Sequence, residues 1–307
     1  MTRSDPQSRR PERRRLARVV QELHPELSFS RAKRAIDAGQ VEVDGATVRD
    51  PGALVEPAAT VVWRRDRPAT PAGAIRVELV HHDGDVAVAI KPAGLLTVPT
   101  PAREKDTMLS RVALAVARRE GSRPFLAVVH RLDRDTSGLV VFAASRPALA
   151  SLQAQLLDRT MGRQYTAVVA GEMSADAGTF DRALIGDGLR RRRWVTRAGE
   201  TGKPAVTHWR VVERFAGATR VEVALETGRT HQIRIHFAAA GHPVLGEPVY
   251  RAPGIEPPPA AIGRQALHAG RLSFTHPRDR RPLVFEAPLP ADLERLLAEL
   301  RRGRIVP

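Results

Sequence analysis

Apolar residues in the larger, C-terminal part of the chain fall into short β-branched runs, several of which alternate with polar residues. Ile233 and Ile235, for example, would share one face of such a run. Alternation with a period of two predicts half-buried strands. The predicted strands cover residues 86–90, 125–129, 139–143, 165–170, 220–226 and 232–236. Amphipathic helices are predicted near residues 107–119 and 291–302. The pattern indicates an α+β fold, mixed, with a mostly antiparallel sheet and peripheral helices.

The N-terminal part of the chain has a different pattern, which predicts two short helices followed by a β-hairpin. In the first helix, four apolar residues recur at helical spacing: Leu16, Val19, Val20 and Leu23. Ser30 is a residue type that caps helices, and it precedes a second helical stretch over residues 31–38 that Gly39 ends. Asp44-Gly45 lies between two β-branched triplets, which is typical of a hairpin with a two-residue turn.

Charge and composition divide the chain into four segments. Residues 1–15 contain six Arg and two acidic residues, and we expect a disordered basic tail there. Residues 16–65 have no net charge and hold the helix–helix–hairpin pattern. Residues 66–75 are rich in Pro and Ala and lack an apolar period, which predicts a linker. Residues 76–307 form the large domain, which carries most of the positive charge of the folded protein.

The overall charge indicates a polyanionic partner. The 307 residues include 49 Lys plus Arg against 34 Asp plus Glu, which gives a net charge of +15, and only four of the basic residues are Lys. Arg is always charged, and its planar fork matches phosphates and base edges, so the excess favours a nucleic acid. A bias in genomic base composition would explain Arg in place of Lys, but it would not explain the net charge.

The sequence lacks the features of Cys-dependent proteins, of membrane-spanning proteins and of secreted proteins. It contains no Cys, which excludes disulfide scaffolds, thiol nucleophiles and Cys-based metal sites. No apolar run is long enough to span a bilayer, and the basic N-terminus has no apolar segment behind it that would make a secretory signal. We therefore expect an intracellular, cytoplasmic protein without membrane association.

The densest group of chemically useful side chains is His-Arg-Leu-Asp-Arg-Asp-Thr-Ser-Gly at residues 130–138. It lies between two predicted buried strands, and loops on a rigid sheet commonly hold functional groups. Asp133 and Asp135 are carboxylates in a basic domain, so they suit chemistry on a base or a sugar better than binding of phosphate. Neighbouring Arg side chains would keep such a carboxylate ionised. The alternative is that Asp133 only caps a turn.

The same residues resemble a known family. The stretch HRLDRDTSGLVVFA at 130–143 is similar to the central motif of pseudouridine synthases of the RluA type. Four further blocks resemble that family in the same order: residues 90–100, 163–171, 226–236 and 267–277. The segment SRAKRAIDAGQVEVDG at 30–45 resembles the S4 RNA-binding domain. Five blocks in the family's order are a specific signal, and with the S4-like start they cover the chain after its tail.

The resemblance implies an RNA isomerase. Members of the family break the glycosidic bond of a uridine, turn the uracil and join its C5 to C1′, which needs no metal, nucleotide or redox cofactor. The implied fold is an α+β pseudouridine synthase domain preceded by a small S4-like domain over residues 16–65. His130 and His231 could suggest a metal pair, but they lack a third ligand at a recognisable spacing, so we expect no metal site.

Three residues take the family's catalytic roles by resemblance. Asp133 is the essential carboxylate, either as a nucleophile on the nucleotide or as a base on the sugar, and both roles stay open. Tyr165 is the active-site Tyr, which would stack on the flipped uracil; the alternative is a Tyr packed in the core. Arg229 would pair with Asp133 and orient it; the alternative is a surface cation on a turn. Three other positions depart from the family's usual residues: Ile90, Glu247 and Arg251.

Six basic residues are predicted RNA contacts: Arg31, Lys33, Arg34, Lys91, Arg131 and Arg234. The first three gather on the second helix of the S4-like segment. Arg131 would fill the gap that the flipped base leaves, or hold a phosphate. Lys91 and Arg234 would contact the RNA backbone or form structural ion pairs.

The resemblance narrows the partner to RNA. Relatives with an S4 domain mostly act on large-subunit ribosomal RNA, so 23S ribosomal RNA is the expected substrate and transfer RNA the alternative. We expect a monomer, and no binding of DNA. A non-catalytic RNA-binding or ribosome-assembly factor of the same fold is the competing hypothesis, and the intact Asp133, Tyr165 and Arg229 favour the enzyme.

Overall fold

The computed structural model describes residues 14–48, 50–65, 77–100, 104, 106–122, 124–186, 193–196, 200–250 and 262–303. The chain divides into two compact units, Met1–Arg76 and Val77–Pro307. The predicted linker lies outside the described residues, and so does the predicted tail up to residue 13.

The N-terminal unit consists of two helices and short strands. Its elements are β1 (Arg14–Arg15), α1 (Leu16–Leu23), α2 (Phe29–Asp37), β2 (Val41–Val43), β3 (Ala46–Val48), β4 (Leu54–Val55) and β5 (Val61–Trp63). Arg14 and Arg15 were expected in the disordered tail, but they form strand β1 because their backbone pairs with β4. The two helices pack on these strands through apolar residues that include Leu16, Ile36 and Val41.

Two local predictions for this unit can be compared with the structure. β2 and β3 form an antiparallel hairpin around Asp44 (φ 50°) and Gly45 (φ 77°), which confirms the predicted two-residue turn. The predicted cap is wrong by two residues: Ser28, and not Ser30, accepts a hydrogen bond from the amide of Arg31 at 3.3 Å and so begins α2.

The C-terminal unit is built around one large sheet. Its strands are β6 (Glu78–His82), β7 (Val86–Lys91), β8 (Ala127–Val128), β9 (Ser137–Ala143), β10 (Gly162–Ala170), β11 (Ala177–Asp181), β12 (Leu184–Gly186), β13 (Arg193–Val195), β14 (Val206–Phe215), β15 (Ala218–Leu225), β16 (Leu267–Thr275) and β17 (Pro282–Glu286). Its helices are α3 (Met108–Glu120), α4 (Arg146–Leu157), α5 (Gln232–Ala239) and α6 (Ala291–Arg301). No described helix is long and apolar enough to cross a membrane.

A parallel contact at the centre of the sheet positions the loop before β9. The strand order is β11-β14-β15-β10-β16-β9-β7-β6, with β17 added on β16 and β8 on β9. The described pairings are antiparallel except that of β9 with β16, which joins Ser137 to His268 and Gly138 to Ala269. Gly138 has a φ of 118°, and a Cβ there would collide with the backbone of Ala269. Glycine therefore permits the close approach of the two strands.

Helices cover the sheet on both faces at this centre. β9 is buried along its whole length, with Leu139 and Val141 packed in the cluster that contains Leu152 of α4. Val140 and Phe142 point the other way and pack in the cluster that contains the apolar face of α3. Burial on both faces explains why residues 139–143 form a continuous apolar run rather than an alternating one.

The structure corrects two predicted elements and adds a helix that was not predicted. Residues 232–236 are not a strand but the first part of α5, in which the residues from Gln232 to Ala238 are all buried, so the helix shows no amphipathic period. Of residues 125–129, only β8 is a strand. Helix α4 was missed, although Ser145 as its N-cap and Pro147 in its first turn are sequence signals of a helix start. Helices α3 and α6 lie where they were predicted.

Candidate active site

The loop between β8 and β9 is fixed through its backbone on either side of Asp133. Thr97 Oγ1 accepts a hydrogen bond from the amide of Leu132 at 3.1 Å and donates one to its carbonyl at 2.9 Å. Arg264 Nη1 donates to the carbonyl of Asp135 at 3.1 Å. Because both flanks of the loop are held, the position of the Asp133 backbone is set by the surrounding fold.

Lys91 is a third support of this loop. Its side-chain Nζ donates to the carbonyls of Leu95 at 2.6 Å, Arg134 at 2.7 Å and Pro92 at 2.9 Å, which uses all three N–H groups of an ammonium. Burial lowers the pKa of Lys91 to about 7, and the charges of the two loop carboxylates act against that shift. Lys91 is 0 % exposed, so the predicted contact with RNA is corrected to a structural role.

Lys91→Met should destabilise the fold by about 3 kcal/mol, because buried carbonyls would lose their donor. The measurement is urea unfolding of the purified protein. Lys203→Met is the matched control, since Lys203 is exposed and its replacement should change the free energy of unfolding by less than about 0.5 kcal/mol. Equal stability of the two variants would show that the three hydrogen bonds of Lys91 do not support the loop.

The Asp133 carboxylate is held by a buried ion-pair chain. Its side chain is 19 % exposed, and its Oδ2 accepts a hydrogen bond from Arg234 Nη1 at 3.1 Å. Arg234, with a side chain 6 % exposed, also donates from Nε and Nη2 to the two oxygens of Glu247 at 2.6 and 2.8 Å. Burial acts to lower the pKa of Arg234, but Glu247 first and Asp133 second raise it. The guanidinium is therefore a permanent charge that orients Asp133.

This arrangement corrects the prediction for Arg229 and decides between the two alternatives for Arg234. Arg229 was expected to pair with Asp133, but it is exposed and its Nε donates to the carbonyl of Pro204 at 3.0 Å. Arg234 was expected to contact the RNA backbone or to form a structural ion pair; it forms ion pairs with Glu247 and Asp133, and so takes the place expected of Arg229. Glu247, noted in the sequence only as a departure from the family, is the residue that sequence reasoning missed, because it enters from a loop that follows α5.

A cavity of about 520 Å³ opens above Asp133. Its lining includes Asp133, Tyr165 and Arg229 as well as Arg131 and Arg234, so the structure brings the three predicted catalytic residues to one place together with two of the predicted RNA contacts. Tyr165 lies on β10 where the pairing with β16 is irregular, and such irregularities commonly redirect a side chain beside an active site. Burial first and the charge of Asp133 also raise the pKa of Tyr165, which keeps its hydroxyl protonated at neutral pH.

His130 and His231, for which no metal site was expected, make separate interactions. His130 Nε2 accepts a hydrogen bond from the amide of Val141 at 3.3 Å, and burial, aided by the charge of Arg163, lowers its pKa to about 3. His231 Nδ1 lies 2.7 Å from the Tyr250 hydroxyl. Its Nε2 lies 3.8 Å from an Asp133 oxygen, and its φ of 60° is strained for a residue other than glycine. The strain is consistent with a functional position.

One group of described residues, Asp83, Asp85 and His276, brings possible metal-ligand atoms within 4.8 Å of one another. Asp83 accepts hydrogen bonds from the amides of Asp85 and Val86, both at 2.8 Å, and lies 3.2 Å from His276 Nε2. Asp85 pairs with Arg278 at 2.6 Å. Because protein groups already satisfy these carboxylates, the group serves to tie the turn between β6 and β7 to the end of β16.

The remaining predicted RNA contacts lie on the surface. Arg131 is exposed at the cavity. Arg31, Lys33 and Arg34 are all exposed on α2 of the N-terminal unit, and Lys33 Nζ lies 5.1 Å from the ring centre of Phe29. These four stay predicted RNA contacts.

Comparison with known proteins gives a matching family for each of the two units. Residues 85–239 match the family model described as RNA pseudouridylate synthase, and residues 14–61 match the S4 domain. "Ribosomal large subunit pseudouridine synthase D" of Pseudomonas aeruginosa is 38% identical over 302 residues, which cover 94% of this chain and 93% of that protein. "Uncharacterized RNA pseudouridine synthase YlyB" of Bacillus subtilis is 37% identical over 298 residues, which cover 94% of this chain and 95% of that one.

A solved structure supports the fold. "Human RNA Pseudouridylate Synthase Domain Containing 4" matches with a TM-score of 0.60 and 21% identity, covering 73% of this chain and 93% of that chain. The resemblance to RluA-type enzymes and to the S4 domain is thereby confirmed. The chain, with its Asp133 pocket and its N-terminal S4 domain, belongs to the RNA pseudouridylate synthase family, whose members are RNA isomerases.

Proposed function

We propose that this pseudouridine synthase modifies uridine in large-subunit ribosomal RNA and that Asp133 is its reacting carboxylate. The observation that carries the proposal is the buried chain Glu247–Arg234–Asp133, which presents one oriented carboxylate to a cavity of about 520 Å³. An ordinary turn cap would not need a buried cation, itself held by a second acid, to orient it.

The chemistry follows from the groups around the cavity. Exposed cations attract the RNA, and the target uridine leaves its stack, which costs a few kcal/mol and is easiest in loops. Tyr165 provides an aromatic surface for the uracil, and its protonated hydroxyl can donate a hydrogen bond. Asp133 then either attacks the nucleotide as a nucleophile or removes a proton from the sugar. In both routes the C1′–N1 bond breaks, the uracil turns, C5 bonds to C1′, and the proton lost from C5 is balanced by one gained at N1. In the first route the bond between Asp133 and the nucleotide breaks again as C5 bonds to C1′, and in the second route the proton taken from the sugar is returned to it.

Two observations support ribosomal RNA as the substrate class. The Pseudomonas relative named above is called a ribosomal large-subunit enzyme and shares 38% identity along nearly the whole chain. The S4 domain carries Arg31, Lys33 and Arg34 exposed on one helix, which suits a structured RNA with closely spaced phosphates. Activity on ribosomal RNA would place the protein in the cytoplasm.

The test uses RNA labelled with tritium at C5 of uridine, isolated from cells that lack the gene. Pseudouridine formation replaces the C5–H bond, so each modified uridine releases one tritium. We expect the purified protein to release one or a few tritium atoms per molecule of large-subunit ribosomal RNA when the reaction is complete. We expect no release from transfer RNA. Release from transfer RNA alone would favour that substrate. Binding of ribosomal RNA without release would favour an assembly factor.

A further inference from the structure

The residue that the mechanism leaves unexplained is Arg163, a buried cation on the cavity wall. It is 8 % exposed and lies on β10, two residues before Tyr165. Its hydrogen bond is a long one, from Nη2 to the carbonyl of Glu226 at 3.4 Å, and its buried Nε has no partner. Within the described part of the chain, no carboxylate lies within ion-pair distance of Arg163.

Two other cations that line the cavity have carboxylate partners. The buried Arg234 is paired with Glu247 and Asp133, and even the exposed Arg159 at the rim is paired with Glu226. A buried guanidinium without a carboxylate partner costs free energy of folding. The binding of an anion or a strong acceptor would recover that free energy. Arg163 is thus suited to a ligand group that enters the cavity.

Two parts of the RNA could be this ligand, the base or a phosphate. The buried position of Arg163 favours the base. Arg163 and Tyr165, the predicted partner of the uracil ring, both line this cavity from β10. Arg131 and Arg229 are exposed at the same cavity, where charged phosphates can remain hydrated. We propose that Arg163 binds a carbonyl oxygen of the flipped uracil and stabilises the negative charge that the uracil carries once its glycosidic bond is broken.

The charge balance of the step supports this role. When the C1′–N1 bond breaks, its electron pair stays with the uracil and spreads over N1, O2 and O4. The same uracil uses an electron pair at C5 to form the new bond to C1′, and the C5 proton is lost while N1 gains one. A preorganised cation close to O2 or O4 therefore interacts more strongly with the intermediate than with bound uridine, and so it accelerates the reaction.

The inference rests on the proposed function, and it is tested with Arg163→Met and Arg163→Lys on the RNA that the wild type modifies. We expect Arg163→Met to lower kcat by about 10²-fold. Its Kd for RNA, and the dependence of that Kd on salt, should not change. Arg163→Lys keeps the charge without the planar fork and should recover part of the rate. Arg220→Met is the matched control, because Arg220 also has a buried Nε without a partner but does not line the cavity.

A substrate with 5-fluorouridine at the target position shows whether the defect of Arg163→Met comes from lost stabilisation of the leaving uracil or from faulty folding. Fluorine stabilises the uracil anion, so loss of the 5-fluorouridine should depend less on Arg163 than the reaction of uridine does. An equal defect of Arg163→Met on both substrates would overturn the proposal. So would a weaker Kd with the salt slope reduced by about one, which is the signature of a lost phosphate contact.

A second test variant, Gly228→Ala, should displace the guanidinium of Arg163 without removing it. A Cβ at Gly228 would lie 2.5 Å from Arg163 Nη1, and its near neighbours are all atoms of that guanidinium. We expect Gly228→Ala to lower kcat with Kd unchanged, and it carries the test if Arg163→Met does not fold. Wild-type kcat in both Gly228→Ala and Arg163→Lys would contradict the inference alone, whereas a wild-type protein that leaves uridine unchanged would contradict the proposed function as well.

Discussion

Asp133→Asn should reduce the single-turnover rate of pseudouridine formation by about 10³-fold or more, because an amide is neither a nucleophile nor a base. The substitution keeps the shape of the side chain, and Arg234 keeps its two hydrogen bonds to Glu247. We therefore expect RNA binding and the melting temperature to stay close to those of the wild type.

The matched control is Asp135→Asn, the same substitution in the same loop. The Asp135 side chain does not line the cavity, and Arg264 holds that residue through its carbonyl. Asp135→Asn should thus keep most of the activity. If Asp133→Asn were as active as Asp135→Asn, Asp133 would have no part in the chemistry.

Arg234→Met should have the second largest effect, on both stability and rate. It leaves the Glu247 carboxylate, 0 % exposed, without its cation, and breaking a buried pair in this way costs about 3–5 kcal/mol. It also removes the hydrogen bond that orients Asp133, so we expect a rate at least about 10²-fold lower. Urea unfolding and single-turnover kinetics measure the two effects separately.

The double variant Arg234→Met with Glu247→Leu distinguishes orientation from stability. Replacing both buried charges with apolar groups should restore much of the free energy of unfolding, because no unpaired charge is left. The rate should stay low, since Asp133 would still lack its guanidinium partner. A double variant that is both stable and fully active would show that Arg234 serves only to balance Glu247.

The sequence allowed prediction of elements that are buried on one face only and of turns that have characteristic residues. The Asp44-Gly45 hairpin and the helices α3 and α6 are of this kind. Helix α5 could not be predicted in this way, because residues buried on every side show neither helical nor strand periodicity. Similarly, nothing local in residues 137–138 indicates that β9 pairs in parallel with β16, which follows more than a hundred residues later.

Residues 232–236 were predicted as a strand and not as helix α5, and this error explains why Arg229 was predicted to pair with Asp133 in place of Arg234. Family resemblance placed several basic residues next to one another in residues 226–236, and choosing among them depends on the backbone path. Because a helix begins at Gln232, Arg234 is turned towards Asp133, whereas Arg229 lies in the preceding loop and bonds to Pro204. Asp133 and Tyr165 could be predicted to share a site because each belongs to a recognisable block, and both line the cavity. For Arg163, the available signal was its place in the same family-like block as Tyr165, residues 163–171.

The most direct test of the proposed function is to map pseudouridine across the total RNA of cells that lack this gene. The deleted strain is complemented with the wild-type protein or with Asp133→Asn. We predict that one or a few pseudouridines in large-subunit ribosomal RNA disappear on deletion and return only with the wild type. Restoration by Asp133→Asn, or a deletion that changes no site in that RNA, would contradict the proposal.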